Sequence, residues 1–220
     1  MFRTGEGRSA EIKILAISDR VEPFIYGPGI KSLAPDVEAV VSCGDLPFEY
    51  LEYVVTMLNV PLLYVLGNHD PEPGSSAQKK GKAQRPPEGC IPLDGRTQSL
   101  NGVTFAGFSG SMLYSGGPHQ YTEREMRLKS WRLSARIALG RALGRSAPDV
   151  FVTHSPPFGL GDREDPCHTG FRSFVELINR HRPKLWLHGH VHLYGAEPVR
   201  ELQRGGTRIV NVFGHRLVEI

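Results

Sequence analysis

Three imidazoles fall within five residues at His188, His190 and His192, directly behind the apolar run Lys184–Leu187. A cluster this dense suits a metal site, an exposed loop or a packed core, so the donors that accompany it decide the matter. Asp19, Asp45, the group Asn68-His69-Asp70 and His154 each follow at once on an apolar stretch of strand length. In α/β sheets the carboxyl ends of the strands share one edge where ligands collect, so residues distant in sequence converge there.

The chemistry of the set is coherent. Carboxylates, a carboxamide oxygen and neutral imidazoles suit borderline divalent ions such as manganese, iron, zinc or cobalt, whereas magnesium or calcium alone would favour all-oxygen sites. Asp19, Asp45, Asn68, His154, His190 and His192 are too many for one ion. With water they suit two ions roughly 3.5–4 Å apart, the spacing used for in-line displacement at phosphorus. Two dications that close repel by on the order of 20 kcal/mol even at an effective dielectric near 20, so an anion must lie between them. Asp45, on a tight Gly-Asp turn, is suited to that bridging place.

The elements that must position these groups are legible as alternating runs. Ile12–Ile17, Val37–Ser42, Leu62–Leu66, Val150–Thr153 and Lys184–Leu187 read as strands. Leu46, Tyr50, Tyr53, Val54 and Met57 recur at helical spacing with Pro47 near the start, and Phe171–Asn179 reads as a further helix. Residues 71–92 collect Pro, Gly, Ser and Lys and read as a surface loop. Asn101-Gly102 predicts a type I′ hairpin, and Gly205-Gly206 lies between two final strand arms. Thr122-Glu123-Arg124-Glu125 matches a capping box and opens a helix over 122–144. Leu128, Trp131, Ala135, Ala138 and Ala142 line one of its faces at alternating steps of three and four.

Composition narrows the class. The chain has 220 residues, 40% of them apolar, enough for one α/β domain over 1–220 with a sizeable core. Its net charge of +3 is spread among interspersed acidic and basic residues with no arginine-rich arm, so nothing indicates nucleic acid as a partner. Cys43, Cys90 and Cys167 are odd in number and far apart, which argues against a disulfide framework and for a reducing, cytoplasmic setting. The opening MFRTGEGRSAEIK carries no apolar signal core, and no run spans a bilayer, so no membrane association is expected. Composition leaves the oligomeric state open.

In order along the chain stand Asp19, Gly44-Asp45, Gly67-Asn68-His69-Asp70, Thr153-His154-Ser155-Pro156-Pro157 and Gly189-His190-Val191-His192. This series resembles the calcineurin-like metallophosphoesterase superfamily, whose hallmarks run D-x-H, G-D, G-N-H-[DE], H and G-H-x-H. The resemblance spans residues 14–195. It implies a four-layer α/β/β/α sandwich of two mixed sheets flanked by helices, with a dimetal site at the strand ends. It further implies that Asp19, Asp45 and His192 hold one ion and that Asp45, Asn68, His154 and His190 hold the other. Manganese is the first expectation for one or both ions. His69 would protonate the leaving oxygen, Asp70 would orient that imidazole, and a metal-bound hydroxide would attack a small phosphomonoester or phosphodiester.

One position departs from the family pattern. Where D-x-H places a histidine, this chain has Asp19-Arg20-Val21, and valine offers no ligand. The first ion would rest on Asp19, the bridge, His192 and water, and losing an imidazole should weaken it at least as much as lost supporting contacts do, about 10–100-fold. The site then fills with two ions only at high metal concentration, works with one while Arg20 offers charge to the phosphate, or is impaired in a chain that serves as a protein-binding scaffold. A nuclease of the same superfamily is a third reading and would need a basic track to the metals. Lys79, Lys80, Lys82 and Arg85 suit a solvated loop as well as such a track. His168 reads as a rim residue that touches substrate or as an ordinary loop residue, while His188, His181, His215 and Cys43 read as packing groups.

Overall fold

The computed structural model describes residues 12–71, 85–194 and 200–220. Strands β1 (Lys13–Ser18), β2 (Ala39–Ser42) and β3 (Leu62–Tyr64) are the apolar runs of the first half. They pair in parallel, and β4 (Cys90–Pro92) adds to β3 in the same sense. The sheet closes with the chain's last strand, β13 (Gly214–Glu219), antiparallel to β1, in the order β13-β1-β2-β3-β4. The second sheet has the order β11-β12-β10-β9-β6-β5. Its parallel centre is β6 (Val103–Phe108), β9 (Val150–Thr153), β10 (Leu185–His188) and β12 (Thr207–Asn211), with β5 (Thr97–Leu100) and β11 (Glu201–Arg204) antiparallel at the edges.

Burial on both faces explains the continuous apolar runs. Along β1, Ile14 and Ala16 join Val41, Leu63, Phe105, Val152, Leu187 and Val210 in a core between the two sheets. Leu15 and Ile17 point the other way, against α1 (Ile30–Leu33) and α2 (Phe48–Leu58), through Ile30, Phe48, Leu51 and Val54. On the far face of the second sheet, Ala106, Phe108, Phe151 and Trp186 pack on α3 (Glu123–Ala142) and α4 (Arg172–His181). The result is the predicted α/β/β/α sandwich of two mixed sheets.

The helix ends follow local chemistry. Thr122 accepts the Glu125 N–H at 3.3 Å while Glu125 accepts the Thr122 N–H at 2.8 Å, the capping box read from sequence. α4 has no cap from its own N-terminal residue. Instead the Glu123 carboxylate of α3 accepts the N–H groups of Arg172 and Ser173, at 2.8 and 2.9 Å, placing a negative charge on the positive end of α4. The Asn101-Gly102 turn between β5 and β6 has positive φ at both residues, as type I′ requires.

The buried face of α3 is Met126, Ser130, Leu133, Ser134 and Ile137, whereas Leu128, Trp131, Ala135, Ala138 and Ala142 are exposed. Two serines on the buried face remove the contrast by which sequence periodicity distinguishes the sides. Two expectations need correction. The 71–92 stretch ends in β4, too short for a period and tolerant of Pro92 because it is an edge. A third closing strand, β13, follows the two arms around Gly205-Gly206. Besides these, β7 (Ser111–Met112) and β8 (Gln120–Tyr121) form a small parallel pair. Residues 72–84, with Lys79, Lys80 and Lys82, lie outside the described residues, as does Gly195. Among the described residues no helix is long and apolar enough to cross a membrane.

Candidate metal centre

Five chain segments meet at the carboxyl ends of β1, β2, β3, β9 and β10. Asp19 follows β1, Asp45 lies three residues past β2, and Asn68-His69-Asp70 follow β3. His154 follows β9 directly, and His190 lies two residues past β10. Backbone bonds stitch these turns together: the Asp19 N–H donates to the Gly44 carbonyl at 3.1 Å, and the Gly189 N–H to that of His154 at 3.0 Å. Asp19, Asp45 and His190 adopt left-handed φ of 62, 56 and 66°, conformations that ordinary residues keep only when the surroundings hold them there.

Glycines make the convergence sterically feasible. A Cβ on Gly67 would collide with Oδ1 of Asp45, and one on Gly189 with Oγ of Ser18 and a carboxylate oxygen of Asp19. Both carboxylates therefore lie flat against neighbouring backbone. The Asp19 side chain is fully buried and accepts the His190 N–H on both oxygens, at 3.0 and 3.1 Å.

The hydrogen bonds point the free atoms at one another. His154 Nδ1 faces the Cys43 carbonyl at 2.8 Å, which can only accept, so Nδ1 carries the proton. Its Nε2 then looks at two further acceptors, Asn68 Oδ1 at 3.0 Å and Asp45 Oδ2 at 3.4 Å. Three oxygen and nitrogen lone pairs in one buried spot repel unless a cation joins them, either a second proton on His154 or a divalent ion. The titration preferences carry the same message. Burial opposes charge on both groups, yet their mutual attraction prevails, raising His154 and lowering Asp45. Oxygens of Asp19 and Asp45 and a ring nitrogen of His154 all lie within 4.8 Å of one another. The donor set therefore fits a divalent ion.

His190 completes one side. Its Nε2 donates to the Cys167 carbonyl at 2.7 Å, leaving Nδ1 with the lone pair, and its ring lies 4.8 Å from that of His154. Burial, with the His154 charge adding, holds its pKa down at about 3, so the imidazole is neutral as a ligand must be. His192 Nε2 is 3.6 Å from Asp19 Oδ1, and its ring stacks on Phe213 at 4.8 Å. The structure thus gathers all six expected ligands, Asp19, Asp45, Asn68, His154, His190 and His192, at one rim.

The supporting residues divide differently from the expectation. Asp70, expected to orient the His69 ring, instead accepts the N–H groups of Asp45 and Gly67 on its Oδ2, at 2.8 and 2.7 Å, and no hydrogen bond among the described residues joins it to that imidazole. Its carboxylate fixes the turn that carries Asp45. Burial, opposed by the Gly67 N–H and reinforced by the Asp45 charge, lifts it to about 6. His69 donates its backbone N–H to Asp45 Oδ1 at 2.9 Å and leaves its side chain exposed at the rim. Arg20 is exposed and paired with Glu22 at 3.1 Å, so its charge is already engaged. Val21 packs on the helix-side core. His168 does reach the rim, its ring 5.1 Å from that of His190. His188 is buried and Cys43 lies in the core between the sheets, both as packing groups.

Sequence reasoning missed Tyr114, whose hydroxyl accepts the Asn68 Nδ2–H at 3.1 Å, and Arg163, which donates to the His192 carbonyl at 2.6 Å. Neither follows a strand long enough to show as an apolar run, and no spacing marks them.

The family profile of calcineurin-like phosphoesterases matches residues 30–194, and the chain belongs to that family. UPF0046 protein K07C11.7 of Caenorhabditis elegans is 25% identical over 221 residues, covering 91% of this chain and 69% of that protein. TT1561 of Thermus thermophilus has a similar structure, with a TM-score of 0.58 at 17% identity over 94% of this chain and 97% of that one. GAP50, the anchor in the inner membrane complex of Plasmodium, is similar at a TM-score of 0.51 and 11% identity, over 92% of this chain and 71% of that one. These two likenesses show the shared fold.

Proposed function

We propose that the protein is a divalent-metal-dependent phosphoesterase acting on a small phosphomonoester or phosphodiester. The observation that carries this reading is the convergence of His154 Nε2, Asn68 Oδ1 and Asp45 Oδ2 in a glycine-lined, buried spot beside Asp19. Asp19, Asp45 and His192 would hold one ion, and Asp45, Asn68, His154 and His190 the other, with manganese favoured and iron, zinc or cobalt compatible. Bound ions there supply positive charge to the phosphoryl oxygens and a water acidified toward neutrality. The chain's own part is geometric and acid-base. Asp70 holds the Asp45 turn through two N–H groups, and the exposed His69 ring is free to give a proton to the leaving oxygen. His168 lies where a substrate would pass. Arg20 reaches a phosphate only if its pair with Glu22 opens.

The test is hydrolysis of p-nitrophenyl phosphate and bis(p-nitrophenyl) phosphate by purified protein with manganese. The expected result is metal-dependent turnover of at least one ester, lost in Asp45→Asn. In His69→Ala, kcat falls by about 10²–10⁴ while bound metal stays unchanged. Full activity in Asp45→Asn contradicts the reading.

Val21 supports a second reading, a protein-binding scaffold with an impaired first metal position, and the anchoring role named for GAP50 is of that kind. Elemental analysis after manganese or zinc loading separates the two: a metal-free chain favours the scaffold.

A further inference from the structure

We propose that Asp165, Cys167 and His168 form a separate site for a thiophilic divalent ion of the zinc class, linked to the candidate centre through His190. A carboxylate oxygen, the Cys167 sulfur and a ring nitrogen of His168 lie within 4.8 Å of one another, on the loop between β9 and α4. Three protein donors with an open fourth position make a tetrahedral zinc site, and closing this trio to bonding distances takes side-chain shifts of about 1 Å. A thiolate among the donors selects zinc or cadmium over the manganese favoured for the centre next to it.

The loop is already arranged for this. Asp165 holds His168 from both ends: its Oδ1 accepts the backbone N–H at 3.0 Å, and its carboxylate faces the ring Nδ1 at 2.8 Å. Thr169 donates its hydroxyl to the Asp165 carbonyl at 2.8 Å, fixing the turn. On metal entry His168 keeps one proton, on whichever ring nitrogen does not face the ion, and the Cys167 thiol proton leaves to solvent, so that a neutral imidazole, a carboxylate and a thiolate hold the ion.

The linkage is a single hydrogen bond. The Cys167 carbonyl accepts the His190 Nε2–H at 2.7 Å. An ion that draws Cys167 toward Asp165 and His168 pulls on one candidate ligand of the centre, His190. That coupling rests on the proposed function; the outer site itself does not.

The experiment is a cadmium titration of Asp45→Asn protein, whose candidate centre is impaired, read by the ultraviolet thiolate-to-cadmium charge-transfer band. The band is expected to saturate at one cadmium per chain, to vanish in Cys167→Ser, and to require at least about tenfold more cadmium in His168→Ala. No band, or one that survives Cys167→Ser and so belongs to Cys43 or Cys90, overturns the site. In the wild-type chain, one equivalent of zinc should weaken manganese binding about 5-fold more than it does in Cys167→Ser, which keeps any direct competition at the centre but lacks the outer site. Equal weakening in the two proteins overturns the linkage and leaves the outer site standing on the cadmium result.

Discussion

Gly67 and Gly189 press against the buried carboxylates of Asp45 and Asp19, so the finest test of the centre is a single methyl group. In Gly67→Ala the new Cβ occupies space held by Asp45 Oδ1, and the carboxylate must turn away or the turn must shift. Manganese affinity should fall at least about tenfold, by analogy with the loss of supporting contacts around a metal, and stability by about 1–3 kcal/mol as in other overpacked sites. Calorimetric titration and chemical denaturation check the pair; unchanged manganese affinity contradicts the proposed role of Asp45. At this scale the sequence announces the candidate ligands because each is a chemically distinctive residue behind an apolar run. Tyr114, Arg163 and the Cys167 carbonyl escape it because they act through loops, and a backbone carbonyl has no residue signature at all.

At the scale of elements, α3 shows that periodicity marks a helix without marking its buried side. Leu128 and Trp131 share a face at helical spacing, yet Trp131 is 63% exposed and Leu133 only 1%. Trp131→Ala should therefore change stability within about 0.5 kcal/mol, whereas Leu133→Ala should cost about 2–5 kcal/mol. Urea unfolding of the two variants decides which face is buried. Strands are more legible than helices here because burial on both sides leaves a short, unbroken apolar run. β4, β7 and β8, two or three residues each, carry no run to read. The cap across helices predicts that Glu123→Ala, which strips two N–H groups of α4 of their charged partner, lowers stability by about 1–2 kcal/mol.

For the whole molecule, two stacked sheets turn the carboxyl ends of their parallel strands to one rim, and that arrangement alone brings residues from 19 to 192 into one site. Its logic is visible in sequence as five blocks in order, whereas the departure at Val21 becomes interpretable only when the side chain is found packed on the helix-side core. The remaining layers also set a pH response. Burial, with Arg180 and Arg141 adding, depresses His181 to about 4, where it bonds Ser134 Oγ at 2.8 Å between α3 and α4. The unfolded chain, with an ordinary imidazole near 6.5, takes up that proton first as pH falls. The contribution is full above about pH 6.5 and is lost toward pH 4, so the thermal midpoint should drop across that window and drop less in His181→Gln. An equal drop in both proteins removes His181 as its source. The centre itself is tested most directly by calorimetric titration of manganese into the wild-type chain and into Asp45→Asn. We predict at least one ion per chain in the wild type and affinity at least about tenfold weaker in the variant. Equal binding by the two proteins, or none by the wild type, would contradict a metal centre built on Asp45.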